Sequence, residues 1–70
     1  MEMLPVKSSN IDQVGYESDT KVLRIAFKNG RIYDYFEVPQ EIFDGLRATE
    51  SAGKFAADNI YPRFKQQRVK

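Results

Sequence analysis

The chain has 70 residues, 41% of them hydrophobic and 13% aromatic, with 11 basic and 10 acidic side chains and a formal net charge of +1. That length makes one domain at most, and a core of this size leaves only about 3–5 kcal/mol of net stability. With no cysteine and no histidine, disulfides, thiolate zinc sites and histidine catalysis are excluded, and a reducing compartment, the cytoplasm, is the expected location.

The opening Met1-Glu2-Met3-Leu4-Pro5 lacks the basic and apolar regions of a signal peptide, and no apolar run approaches a membrane span, so no membrane partner is expected. Pro5, Ser8, Ser9 and Asn10 make residues 1–10 an extended lead-in, followed by a strand from Ile11 to Tyr16. The polar cluster Glu17-Ser18-Asp19-Thr20 closes a turn that would put Val14 and Tyr16 on the face of Leu23, with Ile11 and Gly15 on the other; Gly15 could mark a bulge.

Val22 to Phe36 then reads as a β-hairpin around Asn29-Gly30, since both central residues of a type I′ turn need positive φ and these two tolerate it. A two-residue loop sets Lys28 opposite Arg31, Phe27 opposite Ile32, Ile25 opposite Asp34, Arg24 opposite Tyr35 and Leu23 opposite Phe36. Alternation gives one apolar face of Leu23, Ile25, Phe27, Ile32 and Phe36. The other face carries Arg24, Lys28, Arg31, Tyr33 and Tyr35. In this register Asp34 lands on the apolar face, where an unpaired carboxylate is costly. A place at the sheet margin, bonded to a helix terminus, Arg47 or Lys54, is the favoured escape; partial cover of both faces is the other.

The expected sheet is a three-stranded antiparallel meander over 11–16, 21–28 and 31–38, and two short helices are its lid. Pro39 suits a first helical position, and Ile42, Phe43 and Leu46 make a one-sided helix in which Gly45 allows close backbone contact with the sheet. Ser51 caps a second helix whose face holds Ala52, Phe55, Ala56 and Ile60, ended by Pro62. Ser51-Ala52-Gly53-Lys54 also has the spacing of an S-x-x-K nucleophile motif, but the second motif and cleft such enzymes need are missing, and the cap accounts for the same residues. Phe64 can fold back on the core, while 65–70 reads as a basic tail. Residues 51–70 hold Lys54, Arg63, Lys65, Arg68 and Lys70 against Asp58 alone. Composition favours a solvated tail over a polyanion-binding one.

The fold class is therefore α+β, without a cofactor motif, a metal-binding constellation or a credible catalytic one. Rings set among cations can stack nucleobases while the cations hold phosphates, which makes Tyr33, Tyr35, Arg24, Lys28 and Arg31 a candidate surface for RNA or single-stranded nucleic acid. Tyrosine is also a favoured strand residue, and Tyr and Arg are enriched at protein interfaces, so a protein-interaction module using this face or an exposed edge strand is the alternative.

Several short motifs occur together: S-S-N-I at Ser8 to Ile11, V-G-Y at Val14 to Tyr16, L-x-I-x-F at Leu23 to Phe27, Y-x-Y at Tyr33 to Tyr35, V-P at Val38-Pro39 and S-x-G-x-F at Ser51 to Phe55. The set resembles the KTSC domain, a family named for its occurrence at the C-terminus of some lysyl-tRNA synthetases and found also in free-standing small proteins of bacteria and phages. The resemblance covers nearly the whole chain and implies a small domain for which RNA binding is suggested by the fusion context; that it is non-enzymatic is expected from its lack of histidine, cysteine and a credible metal cluster. Ala56 and Ala57 depart from the family pattern after Phe55.

Overall fold

The hairpin turn decides the architecture. In the computed structural model, which describes residues Met1–Lys70, Gly30 has positive φ (92°) and Asn29 does not. The Gly30 N–H donates to the Phe27 carbonyl (2.9 Å), the Phe27 N–H donates to the Arg31 carbonyl (2.8 Å), and the Asn29 side chain accepts from the Arg31 N–H (3.0 Å). Lys28, Asn29 and Gly30 thus form a three-residue loop with glycine in the left-handed position, the alternative hairpin for which Asn-Gly is equally suited.

One extra loop residue slips the register by one. The pairs are Ala26 with Ile32, Ile25 with Tyr33, Arg24 with Asp34 and Leu23 with Tyr35, so the expected pairings of Phe27 with Ile32 and Arg24 with Tyr35 are corrected. Because side chains alternate, the slip turns every residue of the later strand over. Tyr33 and Tyr35 go to the face of Leu23 and Ile25, while Asp34 joins Arg24 on the other. The strand also ends at Tyr35, so Phe36 lies beyond it.

The sheet has five antiparallel strands in sequential order: β1 Leu4–Pro5, β2 Ile11–Glu17, β3 Val22–Phe27, β4 Ile32–Tyr35 and β5 Gln66–Arg68. The expected meander is its centre. Two outer strands come from segments with no strand pattern, the lead-in and the basic tail, and β5 joins by backbone pairing to β4 with all three of its residues exposed. A bulge between Ile11 and Gln13 corrects the facing of Ile11, which is fully buried beside Val14. The bulge lies there and not at Gly15. Gly15 instead admits the N-terminal segment, since a Cβ on it would stand 2.7 Å from Met3 Sδ and 2.9 Å from the Glu2 carbonyl.

Helices α1 (Gln40–Ala48) and α2 (Ala52–Asn59) cover the apolar face. Pro39 stands at the N-cap of α1, one place before the position expected of it, and Phe43 and Leu46 point inward. Ser51 caps α2 by accepting from the Lys54 N–H (3.4 Å), which gives that residue the structural role expected of it. Gly45 packs against the Phe55 ring of α2 and not against the sheet: a Cβ there would lie 2.7 Å from Phe55 Cζ. Ile11, Val14, Leu23, Ile25, Leu46 and Ile60 are wholly buried at the centre. Phe64 packs at the core's edge as expected.

Candidate functional site

Turning β4 over gathers the tyrosines. Tyr35 is only 2% exposed and its ring stacks on Tyr61, which follows α2 (centroids 5.8 Å, 29°). Tyr61 meets Phe27 (6.4 Å, 44°), and Phe27 meets Tyr33 edge-on (6.0 Å, 86°). These four rings, with Asn10 and Gln66, line an open recess of about 350 Å³. Its floor is the inner face of the sheet beyond the helices, and β5 supplies one wall by setting Gln66 opposite Tyr35 and Arg68 opposite Tyr33.

Burial, and then the neighbouring Tyr61 and Tyr33 phenols, raise the Tyr35 pKa well above the ordinary 10.0. Burial raises that of Tyr61, so both remain O–H groups at neutral pH. The Tyr61 hydroxyl is shut off from solvent and has no partner within the protein. By contrast, the fourth tyrosine, Tyr16, lies at the other end of the sheet, stacked on Phe43 (5.2 Å, 16°) with its hydroxyl donated to the Val38 carbonyl. A buried polar group left unpaired is uncommon, and its cost needs a reason.

Asn10 is held by its neighbours. The Ser8 hydroxyl oxygen accepts from the Asn10 N–H (3.2 Å) and the Ile11 N–H (3.0 Å) and lies 2.8 Å from Asn10 Oδ1. On the other side Gly53 gives it room, for a Cβ there would stand 2.8 Å from Oδ1. Lys28 donates to the Ser8 carbonyl (3.0 Å), which fastens one cation beside the asparagine.

The surface expected from sequence is thus partly regrouped. Tyr33 and Tyr35 share the recess, Lys28 is at its Asn10 side, and Arg31 is exposed between the hairpin loop and Ile32. Arg24 is on the opposite face, held in two points by Asp34: Nε–Oδ1 2.7 Å and Nη2–Oδ2 3.0 Å. Asp34 therefore needs neither Arg47 nor Lys54. Tyr61, Asn10, Phe27 and Gln66 were not singled out from sequence; the pattern S-S-N-I followed at a distance by S-x-G-x-F, in which Asn10 meets Gly53, is the signal that carried part of this information.

A family model described as the KTSC domain matches residues 7–64. The chain belongs to the KTSC domain family. A KTSC domain protein from Yersinia pestis has a crystal structure that superposes with a TM-score of 0.90 at 30% identity, over 99% of this chain and 97% of that one. A protein from Tsukamurella paurometabola is 44% identical over 63 residues, 90% of this chain and 94% of its own. A lysine–tRNA ligase from Nostoc punctiforme is 33% identical over 67 residues, but this KTSC chain matches 96% of its own length to only 12% of the ligase. The same fold thus occurs as a small protein and as a minor part of a large one. No helix in it is long and apolar enough to cross a membrane.

Proposed function

We propose that this KTSC domain is a non-enzymatic binding module for RNA or single-stranded nucleic acid, and that an unpaired base enters the recess of Tyr33, Tyr35, Tyr61 and Phe27. The observation that carries this is the open recess lined by four aromatic rings and edged by the side-chain amides of Asn10 and Gln66. Aromatic platforms take bases irrespective of sequence, and polar groups at their edge fix the base in place. Lys28 is held beside Asn10 by the Ser8 carbonyl and Arg68 lies opposite Tyr33 in the β4–β5 register, and backbone phosphates would run along these two sides. Arg24 has no part in it, because its guanidinium is committed to Asp34. Similarity to part of a lysine–tRNA ligase supports an RNA ligand over a peptide.

Anisotropy of labelled single-stranded RNA, single-stranded DNA and tRNA at low and moderate salt tests this. Single-strand binding that involves Z phosphates weakens with a log–log salt slope of about −0.7Z, so contacts at two or three cations give a slope between about −1.4 and −2.1. Lys28→Ala and Arg68→Ala each reduce it, whereas a protein partner held by the same rings shows little salt dependence.

A further inference from the structure

A second recess adjoins the first, one rung along the same ladder. Tyr35 pairs with Gln66 between β4 and β5, and both line the recess of the four rings. At the next rung the Phe36 N–H donates to the Lys65 carbonyl (3.0 Å). Phe36 and Lys65 line a separate recess of about 360 Å³, together with Glu37, Arg63 and Phe64. The two recesses thus meet at the corner where β4 ends and β5 begins. Because successive side chains of an extended strand point to opposite sides, one base cannot fill both, and a bound strand has to turn round that corner.

The residues of the second recess are uncommitted. The protein's ring pairs are Tyr16–Phe43, Phe27–Tyr33, Phe27–Tyr61 and Tyr35–Tyr61, and Phe36 and Phe64 belong to none of them. Both rings are half-buried, so the protein holds them while part of each stays open to solvent. Arg63 and Lys65 are exposed, and neither takes part in the two ion pairs of the chain, Lys7–Glu50 and Arg24–Asp34. Two free cations therefore stand against the single Glu37 carboxylate. We infer that this recess is a second nucleotide subsite, which takes a further unpaired base of the same single strand on Phe36 and Phe64. Arg63 and Lys65 attract the phosphates that link it to the base in the first recess, and Glu37 opposes them. The inference rests on the base-binding reading of the first recess, and extends it from one nucleotide to a strand that follows the β4–β5 corner.

The test is an NMR titration with uridine 5′-monophosphate and with uridine oligomers of two, three and four nucleotides, at one salt concentration. Wild type is expected to gain about tenfold in affinity by the length of four, the contribution of one additional stacked base. A longer strand also has more registers on a single site, so the deciding comparison is between wild type and variant at equal length. Phe36→Leu keeps the apolar bulk and loses the ring; it should bind the tetramer about tenfold more weakly than wild type and the monophosphate equally well. Equal monophosphate binding also shows that the first recess is intact in the variant. Arg63→Ala combined with Lys65→Ala should likewise weaken the tetramer, and Glu37→Gln should strengthen it roughly twofold. Equal affinity of wild type and Phe36→Leu for the tetramer overturns the second subsite while leaving base binding in place, and so does a Phe36→Leu variant weakened by one factor at every length. Failure of wild type to bind at any length refutes the base-binding reading itself, and the second subsite with it.

Discussion

Arg24 and Asp34 face each other across β3 and β4 in a two-point ion pair, 2.7 and 3.0 Å, on the sheet face away from the helices. The pair exists only in the slipped register. Its hydrogen bonds hold the guanidinium pKa above its ordinary value, and the side chains are 35% and 14% exposed, so water discounts the attraction. Arg24→Ala is expected to lower stability by about 1 kcal/mol in denaturant unfolding and to leave RNA binding unchanged. Equal losses of RNA affinity for Arg24→Ala and Lys28→Ala would return Arg24 to the binding surface.

Tyr61→Phe separates stability from binding. The hydroxyl it removes is buried without a partner, so the folded state sheds a desolvation cost, and the variant should be more stable by about 1 kcal/mol. RNA affinity should stay nearly unchanged, because the stacking ring is kept and the hydroxyl removed is shut off from the recess. Tyr35→Ala is a different matter. That ring is in the core, and its loss should cost about 3 kcal/mol or more, close to the whole stability of a domain this size.

What could be read from sequence, and what could not, turns on single backbone angles. The element types followed from Asn29-Gly30, from the polar turn before Lys21 and from the Pro39 and Ser51 signals, because each restricts a few dihedrals locally. The register did not follow, because Asn-Gly serves a two-residue and a three-residue loop alike, and the two differ by the sign of φ at Asn29. The misfit was visible all the same: an aspartate opposite Ile25 on an apolar face marks a register wrong by one, and shifting it places Asp34 against Arg24. Ile11 was misplaced for a similar reason, since its inward turn depends on a bulge whose residues, Asp12 and Gln13, are unremarkable. Strand β5 has no side-chain pattern to read because its order comes from backbone bonds to β4. Tyr61 drew no notice because it follows the second helix next to Pro62, and only the tertiary fold brings it to Tyr35.

Alkaline unfolding should report the same burial. Tyr16, Tyr35 and Tyr61 all have pKa values raised from 10.0 in the folded protein, with burial the leading cause. A raised folded-state pKa means that the folded chain holds its protons where the unfolded chain releases them. The stabilisation is full below about pH 10 and declines as pH rises above it. Circular dichroism followed against phenolate absorbance should show ionisation of these tyrosines accompanying unfolding; free titration of these three near pH 10 in a folded protein would contradict their burial.

Gly45→Ala weighs packing against propensity. Alanine improves the α1 interior by about 1 kcal/mol, but its Cβ would meet the Phe55 ring at 2.7 and 3.0 Å, and overpacking typically costs about 1–3 kcal/mol. A net loss of about 1 kcal/mol in thermal or denaturant unfolding is expected, relieved in the double variant with Phe55→Leu. A stabilised single variant would show that the two helices have slack between them.

The most direct test of the base-binding site is a titration of the protein, its tyrosine rings labelled for NMR, with a short single-stranded uridine oligomer at low salt. Tyr33, Tyr35 and Tyr61 line or floor the recess, while Tyr16 is stacked on Phe43 at the far end of the sheet. The ring resonances of the first three should shift together and saturate with the binding curve, and those of Tyr16 should stay in place. Binding that leaves Tyr33 and Tyr61 unmoved, or no binding at all, would contradict the recess as the site.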